Sequence, residues 1–286
     1  MCQRGKRKSK HIFDGIKGLG FVLPSLIGVL IFSVLPFVNV IKLSFSNLFT
    51  GEWVGFKNYE MVMNNHAFCL ALKNMIVFLC LCVPLLCVLS FGLAVGINSL
   101  TEHKNWMKTL FLTPMILPVC AVVLLSKVLF DVNGFLNEII GTKIDWLNSS
   151  YAILALVALY IWKNLGYTIL LWCAALEKIP KAIYEASALD GANKRQQLWY
   201  ITLPCVKTSG FVIVVISIIN SFKVFRESYL LAGNYPNESI YMTQNIFNNW
   251  FADLAIDKIS AGAVIMVVFI GCFVFLLERL WQSEEN

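Results

Sequence analysis

Two groups of residues in this sequence have the types and spacing to do chemistry. The first is polar and sits inside long apolar runs. Lys163 and Asn164 fall near the middle of one run, and Asn220, Lys223 and Glu227 follow helical spacing in another, with Arg226 nearby. A charge at the centre of a membrane helix costs about 2.5–3.5 kcal/mol on insertion scales, so such residues need a reason. One reason is local: Lys223 and Glu227 have the i,i+4 spacing to pair along their own helix. The other is functional: Asn164, Asn220, Lys223 and Glu227 border an aqueous pathway and hydrogen-bond a polyhydroxylated solute. Aromatic neighbours Tyr160, Trp162, Tyr167 and Phe222 either offer a stacking face for a sugar ring or face lipid.

The second group is contiguous and lies in the connection of about 176–208. Pro180 suits a first helical position, its φ already fixed and no N–H to lose. Ile183, Ala186 and Leu189 recur at helical spacing and give a small apolar face. Asp190-Gly191 stops this helix, glycine adopting a left-handed conformation without penalty. A second short helix carries Lys194, Arg195, Trp199 and Tyr200 and is expected to end before Pro204. The spacing therefore predicts a rigid helix-turn-helix knob, about 178–204, where an ordinary connection would be shorter and less helical. Such a knob suits transmission of motion from a separate protein through a stiff contact.

The elements that position these residues follow from composition. The 286 residues are 58% hydrophobic and 14% charged, with a mean hydropathy of +0.71, against about 45–50% and 25% in soluble chains. The solvent must be lipid. Apolar runs at about 19–41, 74–97, 109–130, 151–175, 209–231 and 259–281 are each near the roughly 20 residues that a bilayer core requires. An all-α polytopic protein with about six spans is expected, flanked by a basic tail (1–18) and a short C-terminus (282–286). The connections assigned inside hold 13 Lys/Arg and those outside hold 5, which predicts an N-in, C-in topology. The net charge of +6 thus reflects topology rather than nucleic-acid binding. Pro84, Pro114 and Pro118 fall within spans and predict broken or bent helices. Gly92 and Gly96 form a small-xxx-small ridge suited to close helix approach.

Several chemistries lack their motifs. No G-x-x-x-x-G-K-[ST] is present to hold ATP phosphates, and no H-E-x-x-H or G-x-S-x-G marks a metalloprotease or serine hydrolase. The cysteines form no CxxC pair and the three His are isolated, which argues against a metal site.

Tyr184-Glu185-Ala186-Ser187-Ala188-Leu189-Asp190-Gly191-Ala192, followed by Ile201-Thr202-Leu203-Pro204, resembles the EAA loop of ABC-importer permeases. Ser187 replaces the second Ala of that consensus. The likeness extends over nearly the whole chain and points to the sugar-transport branch, the maltose and glycerol-phosphate permease type. It is carried by Leu23-Pro24-Ser25, by Val54-Gly55-Phe56-Lys57-Asn58-Tyr59, by Ala71-Leu72-Lys73-Asn74, by Gly134-Phe135-Leu136-Asn137 and by Ala174 to Pro180. The sequence departs from the pattern at Leu230 to Pro236, where many relatives carry Gly-Gly-Gly-Pro.

The resemblance implies a type I ABC importer permease fold and a division of labour in a bacterial or archaeal cytoplasmic membrane. A second homologous permease completes the pathway. A pair of cytoplasmic ATPase subunits binds ATP and magnesium, this chain holding no cofactor and being no enzyme, and an extracellular solute-binding protein delivers the cargo. The hairpin docks in a groove on the ATPase through Tyr184, Glu185, Ala186, Ser187, Asp190, Gly191 and Ala192. Glu185 makes the charged contact, and Ile201, Leu203 and Pro204 return the chain to the membrane. Asn164, Tyr167, Asn220, Lys223 and Glu227 are the candidate pathway residues. The rival expectations are a permease for another solute class of the superfamily, an ion-coupled secondary transporter, which predicts inverted internal symmetry, and a membrane enzyme.

Overall fold

The computed structural model describes residues 22–48, 50–99, 104–233 and 235–282. The expected basic tail and all but the first residue of the expected C-terminus lie outside them. Apart from one isolated bridge between Ser46 and Trp53, the regular structure of the described residues is helical. In chain order the helices are α1 (Val22–Ser44), α2 (Lys57–Met63), α3 (His66–Asn98), α4 (Lys104–Ile116), α5 (Val119–Phe130), α6 (Phe135–Ile140), α7 (Ala152–Leu176) and α8 (Lys181–Leu189). There follow α9 (Lys194–Gln197), α10 (Leu203–Ser221), α11 (Phe225–Ala232), α12 (Thr243–Ala252) and α13 (Ile256–Gln282). Six stretches of the described residues are long and apolar enough to cross a membrane.

Proline and its neighbours set the irregularities. The apolar run 109–130 is two helices rather than one, because Pro118 takes an extended ψ of 142° and caps α5. Pro84 and Pro114 remain inside α3 and α4. The helix does not end before Pro204, contrary to the sequence expectation. A π-helical turn over Leu198–Thr202, closed by the Leu203 N–H donating to the Leu198 carbonyl, carries it through. The wider turn moves the preceding carbonyl away from the proline ring, and the missing N–H falls where the hydrogen-bond register changes. The same device precedes Pro36: a π turn over Leu30–Val34, closed by Leu35 N–H to the Leu30 carbonyl. Helix α3 begins eight residues before the apolar run at 74, because the Asn65 side chain accepts from the Phe68 N–H at 3.0 Å and caps it.

The chain divides into two compact units, Met1–Asn64 with Trp250–Ile270 and Asn65–Asn249 with Gly271–Asn286. In the first, α1 turns its apolar side chains outward, Phe32 being 80% exposed. The loop after it is clamped by the Val54–Tyr59 segment. Asn58 Nδ2 donates to the Ser44 and Ser46 carbonyls at 3.0 Å each, Tyr59 Oη meets Ser44 Oγ at 2.7 Å, and Phe45 stacks on Trp53.

The second unit is built around α3, α7 and α10. Helices α3 and α7 run in the same direction, so that Val95 and Leu176 lie together under the α8–α9 hairpin. Their buried faces include Phe78, Leu86, Leu156, Ile169, Ile213 and Ile218, with Phe78 edge-on to Tyr160 and Phe91 edge-on to Trp172. At the end away from the hairpin, Asn74 Nδ2 donates to the Glu238 and Tyr241 carbonyls. Asn137 donates to the carbonyls of Asp131, Val132 and Ile144 and accepts from Trp146 Nε1 at 2.9 Å. Asn58, Asn74 and Asn137, all within the quoted segments, thus do one job: each amide satisfies loop carbonyls that helices leave unpaired.

The close approach expected at Gly92 and Gly96 is not made: a Cβ at either meets nothing within 4 Å among the described residues. It occurs at Gly166, where an added Cβ would run into the backbone of Phe111 and Leu112. Helix α4 crosses α7 there against bare backbone. Gly166→Ala is expected to lower stability by roughly 1–3 kcal/mol through overpacking. Gly92→Ala is expected to be neutral or to stabilise by up to about 1 kcal/mol. Unfolding of the purified variants in detergent checks both.

Candidate functional site

Two sites emerge, one inside the second unit and one at its end. The first is a partly open cavity of about 360 Å³, lined by Met115, Tyr160, Lys163, Asn164, Tyr167, Asn220, Lys223 and Glu227. Every candidate pathway residue is therefore on one wall system. Helix α7 supplies four of the lining residues within two turns, the break at Leu117–Pro118 ends α4 just past Met115, and the 3₁₀ turn Phe222–Val224 carries Lys223. Trp162 is exposed and Phe222 packs against the core, so neither aromatic lines the cavity. The side chain of Arg226 lies outside the described residues.

The ion pairing differs from the local reading. Glu227, only 5% exposed, pairs with Lys163 of α7 at 2.6 Å, not with Lys223 on its own segment. A buried carboxylate takes the partner that completes its desolvated environment, and Lys163 is itself largely covered. Lys223 instead donates to Asn220 Oδ1 at 2.9 Å. Asn164 Nδ2 is held by the Tyr160 carbonyl at 2.9 Å, which leaves its Oδ1 as an acceptor, and the buried Tyr160 hydroxyl has no hydrogen-bond partner among the described residues. The lining thus brings two tyrosines together with amide and charged groups around a space of the size typical of small-molecule sites.

The second site is the hairpin. Helix α8 starts after Pro180, which serves as its N-cap rather than its first helical residue. It ends at Asp190, and Gly191 follows at φ +84°. Asn193 opens α9 with a capping box: its side chain accepts from the Gln196 N–H, and the Gln196 side chain accepts from the Asn193 N–H. The two helices are joined by Tyr184 and Ser187, which the sequence reading assigns to docking, and by Gln197 and Thr202, to which it gives no role. Gln197 Nε2 donates to the Tyr184 carbonyl at 3.1 Å and to Ser187 Oγ at 2.9 Å. Tyr184 Oη meets Thr202 Oγ1 at 2.9 Å, and Thr202 donates to the Gln197 carbonyl. The Asn-x-x-Gln spacing was the available signal for the cap; nothing local signals the Tyr184–Thr202 pair, eighteen residues apart.

This network turns Tyr184 and Ser187 inward and leaves the opposite face bare. Ile183, Glu185, Ala186, Leu189, Asp190 and Gly191 are exposed, Leu189 by 91%, and Tyr200 on the return is 79% exposed. The Ile183–Ala186–Leu189 face thus covers no core among the described residues. Ala192, Ile201 and Leu203 are half-buried and Pro204 is exposed. Lys108 and Glu177, 3.1 Å apart, tie α4 to the end of α7 just before the hairpin.

The Lys163–Glu227 pair yields a stability test. Lys163→Ala strands a buried carboxylate and is expected to cost about 3–5 kcal/mol. The double variant Lys163→Met/Glu227→Gln is expected to recover most of that loss. Unfolding midpoints of both variants in detergent measure the difference.

Comparison with known proteins places this geometry. Residues 88–282 match the family model described as binding-protein-dependent transport system inner membrane component. A probable ABC transporter permease protein of Bacillus subtilis, YesP, is 30% identical over 98% of this chain and 96% of its own length. An arabinooligosaccharide transport system permease protein of the same organism is 29% identical, covering 87% and 82%. A chain of a bacterial ABC transporter that imports the acidic polysaccharide alginate superposes with a TM-score of 0.81 at 21% identity, over 97% of this chain and 99% of that one. This chain belongs to the family of binding-protein-dependent transport system inner membrane components.

Proposed function

We propose that the chain is the permease subunit of an ATP-driven carbohydrate importer of the cytoplasmic membrane, with both termini on the cytoplasmic side. The observation that carries the reading is the α8–α9 hairpin, a stiff knob whose apolar and acidic face covers nothing among the described residues. A partner ATPase pair seats on that face, with Glu185 as the charged contact, Gly191 as the turn, and Ala186, Asp190 and Ala192 shaping the docked surface, while Tyr184 and Ser187, expected from the sequence to dock, brace the hairpin from within. ATP and magnesium stay on the ATPase. ATP-driven closure of the pair draws the hairpins together, and the π turn into Leu203 and Pro204 passes that movement to α10, which leads to the cavity. A second homologous permease encloses the pathway, and an extracellular binding protein loads it.

Carbohydrate as cargo is supported by the relatives and by the cavity. Among relatives with named cargo are the arabinooligosaccharide permease and, at 25% identity over the full length of both chains, a lactose transport permease of Rhizobium radiobacter. The cavity sets Tyr160 and Tyr167 beside Asn164 and Asn220, the flat faces and neutral polar groups that a sugar ring engages. No metal or nucleophile–base pair enters the scheme, and an ion-coupled carrier leaves the hairpin unexplained.

The test uses the assembled importer in proteoliposomes. Glu185→Ala and Gly191→Val, the latter straining a backbone at φ +84°, are expected to cut solute uptake by roughly tenfold or more, as interface anchors do. Binding-protein affinity and membrane insertion should be unchanged. Uptake at the wild-type rate in both variants contradicts the docking role.

A further inference from the structure

The cavity's charges do not cancel. Its lining carries Lys163 from α7, and Lys223 and Glu227 from the segment after α10; Met115, contributed by α4, adds no charge. Lys163 and Glu227 neutralise one another at 2.6 Å. Lys223 is left with a neutral amide oxygen, Asn220 Oδ1, and no carboxylate partner among the described residues. A lysine on a membrane helix ordinarily snorkels, laying its stem along the helix and reaching the interface. Here the exposed ammonium is instead bonded to another residue of the lining, at the edge of the partly open cavity.

We infer that the pathway takes a saccharide carrying one negative charge on the unit seated in the cavity, such as a uronic acid, with Lys223 as the group that meets it. The inference rests on the carbohydrate reading above and narrows its substrate class. A carboxylate that gives up part of its hydration on entering the cavity needs a countercharge. Among the described side chains of the lining, the Lys223 ammonium is the one that balances such a group. Asn164 Oδ1, left as an acceptor by the amide's bond to the Tyr160 carbonyl, then serves a neutral hydroxyl of the same ring.

The experiment measures uptake by the whole importer, with its binding protein, ATPase and second permease, in proteoliposomes. The probes are acidic oligosaccharides prepared from pectin, alginate, glucuronoxylan and carrageenan, and neutral ones from starch and arabinan. The expected result is uptake of at least one acidic probe, a tenfold or greater loss of that uptake in Lys223→Gln, and retention in Lys223→Arg. Binding-protein affinity for the probe and basal ATP hydrolysis should not move. Uptake confined to neutral probes overturns the inference and leaves the carbohydrate reading standing. So does acidic uptake that Lys223→Gln leaves unchanged, or a loss of uptake that Lys223→Arg shares. Uptake of no saccharide by an importer that hydrolyses ATP overturns both.

Discussion

Between the phenol of Tyr184 and the hydroxyl of Thr202 lies a hydrogen bond of 2.9 Å that joins an exposed helix to the base of a membrane span. The stiffness of the α8–α9 hairpin depends on it. Around it, Gln197 holds the Tyr184 carbonyl and Ser187 Oγ, and Thr202 in turn holds the Gln197 carbonyl. Each such bond contributes only about 1 kcal/mol net, yet together they remove the relative motion of two short helices that would be marginal alone. A lever has to be rigid at its root. Here the root is the π turn Leu198–Thr202, in which Thr202 is both a turn residue and the Tyr184 partner.

The same economy runs through the membrane-embedded part. Lipid offers no hydrogen-bond partners, so every irregular turn must satisfy its own backbone. The protein does so with the π turn before Pro36, and its connections follow the same economy with the π turn before Pro204 and with Asn58, Asn74 and Asn137, which each gather loop carbonyls. The Lys163–Glu227 pair follows the same rule for side chains. Once those two charges are matched, what remains exposed in the cavity is what a solute meets.

Much of this was legible in the sequence because it depends on short-range pattern. The apolar runs fix the spans, and Asp190-Gly191 fixes the turn of the hairpin. The helical spacing of Asn220, Lys223 and Glu227 is enough to place them near one another. What escaped depends on which helix lies beside which. Glu227 takes Lys163 rather than Lys223 because α7 passes that point. Gly166, not Gly92 or Gly96, is the tight crossing because α4 lies on α7. The continuation through Pro204 was missed because proline's helix-breaking rule assumes α-helical register, and one π turn suspends it.

The central claim, that the hairpin conveys force as one body with α10, is tested most directly by the solute moved per ATP hydrolysed. The measurement compares the wild-type importer in proteoliposomes with a Tyr184→Phe/Gln197→Ala variant, which loosens the root and leaves the exposed docking face intact. The account predicts sustained ATP hydrolysis and a severalfold fall in solute moved per ATP. An unchanged ratio, with the variant folded and assembled, would contradict it.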